Sequence, residues 1–351
     1  MSQGVERSVL DASTDPLATS YDVALLDLDG VVYVGPSAVT GAREHLLAAQ
    51  SLGMRLAYVT NNASRTPEVV AAHLRELGMP ADDQDVVTSA QAAATVVVEM
   101  VPAGAPVLVV GGEGLVAALH ERGLRPVSSA DDDPAAVVQG FSPDLAWPLL
   151  AEGAYALERG LPWVASNTDL TIPTPRGRAP GNGTLVEVLR IASGREPVVA
   201  GKPETPMHAE AVARTGSSNP LVVGDRLDTD IEGANRAGVP SLLVFSGVTD
   251  EAEVVLATDE LRPAFIADDL GGLHHPHPAT TMERGQASCG SFTASIVEGD
   301  LRITTSGGNA PLAAGDDRLD AVRAACACAW TYGVRRLDPN AVRRSLSAVL
   351  R

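Results

Sequence analysis

The sequence is poor in aromatic side chains, in lysine and in long apolar runs. Phenylalanine, tyrosine and tryptophan make up 3% of the 351 residues, so any hydrophobic core must be built mainly from alanine, valine and leucine. Lys202 is the single lysine, and the other 25 of the 26 basic residues are arginine. No apolar run approaches the roughly 20 residues of a membrane-spanning helix. The polar first twenty residues also lack the apolar segment of a signal peptide.

Cysteine and positive charge are scarce as well. The three cysteines are Cys289, Cys326 and Cys328, and such an odd, sparse count is typical of a reducing cytoplasm. The 44 acidic and 26 basic residues leave a net charge of −18, which repels nucleic acid and anionic membranes. We therefore expect no nucleic-acid partner and no membrane partner. A phosphorylated ligand requires a metal and a cation that reverse this field locally.

Apolar runs alternate with segments of helical spacing, which is typical of an α/β fold with a parallel sheet. The alternation restarts near residue 107, so we expect a core that is interrupted by an inserted αβ domain. A chain of this length also favours two or three domains. The predicted strands are 23–28, 56–60, 107–110, 137–139, 163–165, 198–200, 221–223 and 241–244.

The composition also predicts where the domains begin and end. The predicted segments are a disordered leader at 1–20, the core at 21–87 and 181–272, the insert at 88–180, a linker at 273–285 and a C-terminal αβ appendage at 286–351. The linker is rich in Gly, Pro and His, and its histidines are expected to be solvated. The appendage predicts a hairpin that turns at 298–300 and an apolar helix at 316–332.

The appendage has no catalytic motif, and its helix is expected to pack against a neighbouring surface or a second subunit. A homo-oligomer could therefore form through the insert or the appendage. A chain ending near Gly271 is expected to keep its chemistry.

Four polar stretches each follow a predicted strand: Asp27–Gly30, Val59–Asn62, Gly201–Pro203 and Gly224–Asp230. Because the carboxyl ends of parallel strands meet at one edge of a sheet, these stretches are expected to converge on one crevice. Asp27, Asp29, Asp225 and Asp230 would crowd like charge into one place, which is costly without a cation, and hard oxygen ligands select Mg²⁺. Hydroxyl and amide donors with one lysine suit phosphate oxygens. Together these groups are the equipment of phosphoryl transfer.

The same stretches, DLDGVVY, VTNNASRT, GKP and GDRLDTDI, resemble motifs one to four of the haloacid dehalogenase (HAD) superfamily, in its NagD-type phosphatase branch. The resemblance covers roughly residues 20–270 and includes GGEG, GFSPDL and SNTDLTIPTPRGRAPGNG in the insert. It implies a Rossmann-like parallel-sheet core, an αβ cap formed by the insert, and Mg²⁺-dependent hydrolysis of phosphate monoesters. The appended tail on an acidic, arginine-rich chain is similar to the actinobacterial glycerol 3-phosphate phosphatases.

The resemblance implies a role for each aspartate of the motifs. Asp27 would be the nucleophile and a metal ligand. Asp29 would be the general acid and base, and its backbone carbonyl would also bind the metal. Asp225 would ligate Mg²⁺, and Asp230 would support that ligand from behind. The presence of Asp29 argues against the dehalogenases, which lack this second aspartate.

The resemblance also implies the residues that bind the substrate. Thr60, Asn61 and Asn62 would bind phosphate, and Lys202 would bridge the nucleophile and the phosphate. A cap loop at 167–178 would reach toward the leaving group. The loop carries no aromatic residue that would stack on a ring, which favours a small polyol or acid phosphate, glycerol 3-phosphate first. Its candidate specificity residues are Leu170, Thr171, Ile172, Arg176 and Arg178.

Several alternatives remain open from the sequence. Arg176 and Arg178 could hold a substrate carboxylate, which would favour phosphoglycolate. A phosphomutase uses the same motifs, although its cap is usually smaller and helical. A signalling receiver domain also clusters acidic residues, but its acidic pair comes first and its Thr and Lys come late, whereas here Asp225 comes last. A scaffold with a vestigial site is opposed by the complete set of motif residues.

Overall fold

The computed structural model describes residues 7–174, 176–305 and 317–350. The chain forms two compact units, one made of Met1–Leu56 with Ser218–Arg351 and the other of Ala57–Ser217. The fold is mixed α/β with parallel sheets, which confirms the predicted class. Over these described ranges, the longest apolar helices fall short of the length and hydropathy that a membrane crossing needs.

Most strands are short, and the eight that the sequence predicts lie close to their predicted positions. In chain order they are β1 Val23–Leu26, β2 Tyr33–Val34, β3 Ser37–Ala38, β4 Arg55–Thr60, β5 Val86–Thr88, β6 Pro106–Val110, β7 Arg125–Val127, β8 Ala136–Gln139, β9 Trp163–Ala165, β10 Thr171–Thr174, β11 Gly177–Pro180, β12 Val198–Val199, β13 Pro220–Gly224, β14 Ser241–Val244, β15 Phe265–Ala267, β16 Thr281–Glu283, β17 Gln286–Cys289, β18 Phe292–Val297 and β19 Asp300–Thr305.

The helices alternate with the strands of the two larger sheets. In chain order they are α1 Leu17–Ser20, α2 Ala42–Ser51, α3 Pro67–Glu76, α4 Ser89–Met100, α5 Glu113–Glu121, α6 Trp147–Glu158, α7 Asn182–Ser193, α8 Thr205–Thr215, α9 Glu232–Ala237, α10 Glu251–Val255, α11 Arg318–Tyr332 and α12 Pro339–Val349. A π-helical turn at Leu227–Ile231 leads directly into α9.

In the first unit, four parallel strands lie in the order β15-β14-β13-β1. Leu26 of β1 pairs with Val223 of β13, and Val223 pairs with Leu242 of β14. Every residue of β1 and β14 is buried, as expected of parallel strands that are covered on both faces. The register places the ends of β1 and β13 side by side, so the residues that follow these two strands become neighbours.

The appendage belongs to the same unit and shares its hydrophobic core. Strands β16 to β19 form an antiparallel sheet in sequential order, and β18 and β19 turn at 298–299, as predicted. Helix α11 packs on β17 and β18, and α12 packs on β19. One cluster of buried side chains contains Phe292 and Trp330 of the appendage together with Leu243 and Ile266 of the parallel sheet. The neighbour that the apolar helix was expected to need is therefore the chain's own core.

Two predictions about flexible segments need correction. Residues 7–20 of the predicted disordered leader are structured: Leu17 is fully buried, and the Asp11 N–H donates to the carbonyl of Ala264 at 2.8 Å. The other six leader residues lie outside the described ranges. In the predicted linker, His277 is buried rather than solvated, because its backbone pairs with Ser13 and its Nε2 bonds the Gly272 carbonyl at 2.9 Å. Local composition did not reveal these long-range backbone pairs.

In the second unit, β4 and β5 pair in parallel, and a separate parallel sheet has the order β12-β9-β8-β6-β7. Leu157 of α6 and Leu189 of α7 pack against Leu108 and Val137 of this sheet. Strand β12 therefore belongs to the sheet of the insert, although it lies beyond the predicted boundary at residue 180. The remaining domain boundaries stay predictions. Strands β10 and β11 form a hairpin where the sequence predicted the cap loop at 167–178.

Candidate active site

Three carboxylates meet where β1 and β13 end. Asp27 follows β1, and its N–H extends the ladder by donating to the Val223 carbonyl at 2.8 Å. Asp225 follows β13, and Asp230 lies in the π-helical turn. One oxygen from each of these carboxylates lies within 4.8 Å of the others, and Asp225 and Asp230 are 0% and 1% exposed. Like charges at this separation are costly without a cation, and the hard carboxylate oxygens fit Mg²⁺.

The backbone around Asp225 holds its carboxylate in place. The Val248 N–H donates to Asp225 Oδ2 at 2.7 Å, and the Thr249 N–H donates to the Asp225 carbonyl at 3.2 Å. A methyl group at Gly30 or Gly247 would overlap the Asp225 carboxylate. Both glycines are therefore required by close approach, and the surrounding backbone sets the orientation of Asp225.

The π-helical turn explains the position of Asp230. Its backbone N–H donates to the Arg226 carbonyl at 3.2 Å, and its Oδ2 accepts from the Arg226 N–H at 3.2 Å. A methyl group at Gly224 would overlap the Asp230 side chain. The turn thus brings Asp230 back to the end of β13, and single π turns of this kind often occur at functional sites.

Asp29 is not one of the three clustered carboxylates, and a tight turn begins beside it. Gly30 has φ +86° and donates its N–H to the Tyr33 carbonyl at 2.8 Å, while the Leu28 carbonyl accepts from the Val32 N–H at 2.9 Å. On a continuing strand Asp27 and Asp29 would point to the same side. In the structure Asp27 is half-buried among the acidic groups and Asp29 is exposed. The two carboxylates therefore differ in exposure, and the exposed one can exchange protons with solvent.

In the second unit, Asn61 holds the backbone of Lys202. Asn61 Oδ1 accepts from the Lys202 N–H at 2.8 Å, and Nδ2 donates to the Lys202 carbonyl at 3.1 Å and to Asp169 Oδ2 at 3.2 Å. Both hydrogens of this amide are thus engaged. The side chain that was expected to donate to phosphate therefore orients Lys202. Lys202 is 4% exposed, and its Nζ donates to the Val59 carbonyl at 3.4 Å.

Thr60 and Asn62 form the turn after β4. The Asn62 N–H donates to Thr60 Oγ1 at 3.1 Å, and Asn62 Oδ1 accepts from the N–H and the hydroxyl of Ser64, both at 2.9 Å. A hydroxyl that accepts from the backbone keeps its own proton for donation. Thr60 is therefore preset to donate, and the Asn62 side chain serves the turn.

Two asparagines that sequence reasoning assigned no role complete this network. Asn167 Nδ2 donates to the Asn61 carbonyl at 2.7 Å, and Asn182 Nδ2 donates to the Asn167 carbonyl at 2.6 Å. Both side chains are buried, which is unusual for asparagine. Because Asn167 and Asn182 lie just before and just after the hairpin of β10 and β11, they anchor its base. Both lie in the segment that resembles the family, but only the fold reveals their hydrogen bonds.

The hairpin itself presents few buried groups. Thr184 Oγ1 and the Gly181 N–H bond the Leu170 carbonyl at 2.7 Å and 2.9 Å, which fixes the start of the hairpin. Ile172 is half-buried. The exposed candidates for specificity are Leu170, Thr171, Arg176 and Arg178.

Family models match three parts of the chain. A haloacid dehalogenase-like hydrolase model matches residues 24–125, and a HAD-hydrolase-like model matches residues 199–273. Residues 289–349 match a GCN5-related N-acetyltransferase like domain. The first two matches contain the acidic cluster, Thr60 and Lys202, and the third lies within the appendage.

Individual proteins are similar over 72% or more of this chain. D-glycerol 3-phosphate phosphatase of Mycobacterium tuberculosis is 45% identical over 314 residues, which cover 90% of this chain and 87% of that protein. A crystal structure of the glycerol phosphate phosphatase of that organism in complex with magnesium has a TM-score of 0.82 at 42% identity, covering 91% of this chain and 93% of the other. A 5'-nucleotidase of Bacillus subtilis is 35% identical over 72% of this chain and 96% of its own.

Proposed function

The chain belongs to the haloacid dehalogenase-like hydrolases, as a Mg²⁺-dependent phosphatase, and we propose on this basis that its substrate is glycerol 3-phosphate. One observation supports the chemistry above all others: the carboxylates of Asp27, Asp225 and Asp230 meet beside the ends of two parallel strands. The substrate proposal is supported by the similarity to the mycobacterial enzyme across 90% of this chain.

We propose that Asp27 is the nucleophile. Its carboxylate attacks phosphorus in line with the departing oxygen, so that an aspartyl phosphate forms as the ester bond breaks. Asp29, which is exposed, donates its proton to the departing alkoxide. When Mg²⁺ is bound by Asp27, Asp225 and the backbone carbonyl of Asp29, it supplies the charge that screens phosphate from the attacking carboxylate.

In the second step, Asp29 takes a proton from water, and the resulting hydroxide attacks the phosphorus of the aspartyl phosphate. The phosphorus–oxygen bond to Asp27 breaks, which regenerates the carboxylate and releases inorganic phosphate. We propose that Thr60, the Asn61 backbone and Lys202 bind phosphate oxygens, whereas the Asn62 N–H is held by Thr60 Oγ1 at 3.1 Å. Asp230 supports the Mg²⁺ ligand Asp225 from behind.

The hairpin of β10 and β11 is the proposed source of specificity. Leu170, Thr171 and Ile172 offer a small apolar and hydroxyl surface with no aromatic ring to stack on a base or a pyridine. A small polyol phosphate suits such a surface better than a nucleotide does. The exposed guanidinium groups of Arg176 and Arg178 also suit a substrate carboxylate, which makes phosphoglycolate the second candidate.

A panel of glycerol 3-phosphate, phosphoglycolate, pyridoxal phosphate and nucleoside monophosphates, ranked by kcat/KM with Mg²⁺, tests this proposal. Glycerol 3-phosphate is expected first. A more than about tenfold preference for an aromatic phosphate, equivalent to about 1.4 kcal/mol in the transition state, contradicts it. The Arg176→Met and Arg178→Met variants separate the two candidates, because only phosphoglycolate hydrolysis should fall with the loss of the guanidinium groups.

We also propose that the enzyme is cytoplasmic. The free thiols at Cys289, Cys326 and Cys328 support this location. We also propose that a small phosphate ester is the main partner, and that any homo-oligomer forms through the insert or the appendage. Sedimentation of the full chain tests the oligomer.

A further inference from the structure

The loop at 245–250 links the metal site to the appendage. Its Val248 N–H donates to Asp225 Oδ2 at 2.7 Å, and its Ser246 hydroxyl donates to the Gly30 carbonyl at 2.7 Å. It also includes Gly247, where no side chain would fit beside the Asp225 carboxylate. The position of this loop therefore sets the orientation of Asp225 and supports the turn that follows the nucleophile.

The far end of this loop continues into α10, a helix of five residues. So short a helix is not stable by itself. The Asp250 side chain caps it by accepting from the Glu253 N–H at 2.8 Å. Whatever holds α10 in place therefore also holds the loop.

Two arginines of the appendage form ion pairs at the start of α10. Arg318 of α11 pairs with Glu251 of α10 and with Asp268, and its guanidinium lies 5.9 Å from the centre of the Phe245 ring. Arg343 of α12 pairs with Asp250. Both ends of the loop at 245–250 are thus in contact with the appendage.

The end of α10 is held by the appendage as well. The Trp330 Nε1–H donates to the Val254 carbonyl at 3.2 Å in a buried contact. Val254 and Val255 share one hydrophobic cluster with Trp330 and Leu346. The α10 helix is therefore fixed along its whole length by α11 and α12.

We propose that the appendage positions the metal site, and that Arg318 is a positioning residue for Asp225 through the loop at 245–250. The inference rests on the proposed role of Asp225 as a Mg²⁺ ligand. Arg318 pairs with groups on α10 and after β15, so its effect on the metal must pass through the loop. Loss of Arg318 should let the loop move, and the Val248 N–H would then hold Asp225 less well.

The direction of the change in Mg²⁺ affinity distinguishes a loss of positioning from a simple change in net charge. Removing a cation from a chain of net charge −18 makes the protein more negative, which by itself tightens Mg²⁺ binding. If Asp225 is held less well, Mg²⁺ binding becomes weaker instead. Changing residues behind the direct ligands of a metal typically costs about 10- to 100-fold in affinity. Arg318 acts one step further away, so a loss of about 3- to 10-fold is expected.

The test is calorimetric titration of full-length, substrate-free protein with Mg²⁺. Arg318→Met and Arg343→Ala should each weaken binding, and amide exchange should accelerate at residues 246–249. Turnover at saturating Mg²⁺ should stay within about twofold of wild type. Arg344→Ala is the matched control for Arg343→Ala, because Arg344 is the next residue of α12. Its side chain is 71% exposed, and its guanidinium lies 3.8 Å from the carboxylate of Asp338 within the appendage. Its Mg²⁺ affinity should not fall.

The outcomes separate this inference from the proposed function. Wild-type protein that binds no Mg²⁺, or an Asp225→Asn variant that binds it normally, contradicts the proposed function. A folded Arg318→Met protein with unchanged or tighter Mg²⁺ binding overturns the inference alone, as does an equal weakening in Arg344→Ala. If Arg318→Met does not fold, the Mg²⁺ affinity of Arg343→Ala is judged by the same criteria, because Arg343 is partly exposed.

Discussion

Asn61 and Lys202, 141 residues apart, pair through the side-chain amide of one and the backbone amide of the other. The oxygen of Asn61 accepts from the Lys202 N–H, and its nitrogen donates to the Lys202 carbonyl, so the side chain pairs both backbone groups of Lys202 as a neighbouring strand would. Lys202 is therefore held by its main chain, and its ammonium group is presented from a fixed backbone.

Asn61→Asp tests this relationship. The variant keeps the shape and one acceptor but turns a donor into a second acceptor that faces the Lys202 carbonyl and the Asp169 carboxylate. We expect a loss of about 1–3 kcal/mol in unfolding free energy. The kcat/KM should fall at least about tenfold, with most of the change in kcat, because a displaced lysine stabilises the transition state less. Asn219→Asp, at an exposed site that bonds the Ser20 carbonyl, is the control and should leave kcat/KM unchanged.

Lys202→Arg should lower kcat/KM by on the order of 100-fold, the scale of one lost electrostatic contact in the transition state. The buried site holds a compact ammonium, whereas a guanidinium is wider, planar and prefers two-point contacts. Arg195→Lys, an exposed exchange in the opposite direction, should have no effect. Near wild-type kinetics for Lys202→Arg would show that the single lysine has no special role.

The buried thiols predict a loss of stability at alkaline pH. Burial raises the pKa of Cys328 to about 11 and, together with Asp320, the pKa of Cys289 to about 12. The unfolded thiols ionise near pH 8.5, so above that pH the unfolded chain binds fewer protons and stability falls. The slope is about 1.4 kcal/mol per pH unit for each thiol until the folded pKa is reached.

Urea unfolding at pH 7.5 and pH 9.5 measures this slope. Cys328→Ala should reduce the difference between the two pH values by about 1 kcal/mol, because one thiol no longer titrates. Equal pH dependence in the variant and the wild type would contradict the raised pKa of that thiol.

Deletion of residues 274–351 should unfold the first unit. The sequence led us to expect a chain ending near Gly271 to keep its chemistry, because every motif lies upstream. The structure leads to the opposite expectation, since Leu243, Val254 and Ile266 share their cluster with the appendage. Each large side chain that loses its packing costs about 2–5 kcal/mol, and a few such losses exceed a typical total stability. A soluble truncated protein with a cooperative thermal transition and wild-type kcat/KM would refute this.

The sequence predicted the strands that carry the motifs because their apolar runs are continuous and end abruptly in polar residues, as β1 does at Asp27. It also predicted the turn between β18 and β19, where Glu298 and Gly299 adopt positive φ. Such signals are local, and for that reason they can be read without the fold.

Features that depend on distant partners were not predictable. The two valines of β12 look the same in either sheet, and only their pairing with β9 assigns them to the insert. The sequence suggests that the Asn61 side chain donates to phosphate, whereas in the fold its amide oxygen and nitrogen bond the backbone of Lys202. The structured leader depends on Ala264 and His277, which are more than 200 residues away in the sequence.

Turnover by Asp27→Asn with saturating Mg²⁺ tests the nucleophile most directly. The amide is the same size as the carboxylate, so the fold should persist by circular dichroism, but it is a poor nucleophile and lacks the metal-binding charge. We predict that kcat for glycerol 3-phosphate falls by about four orders of magnitude or more. A folded Asp27→Asn enzyme whose kcat stays within about tenfold of wild type would contradict catalysis through an aspartyl phosphate at this residue.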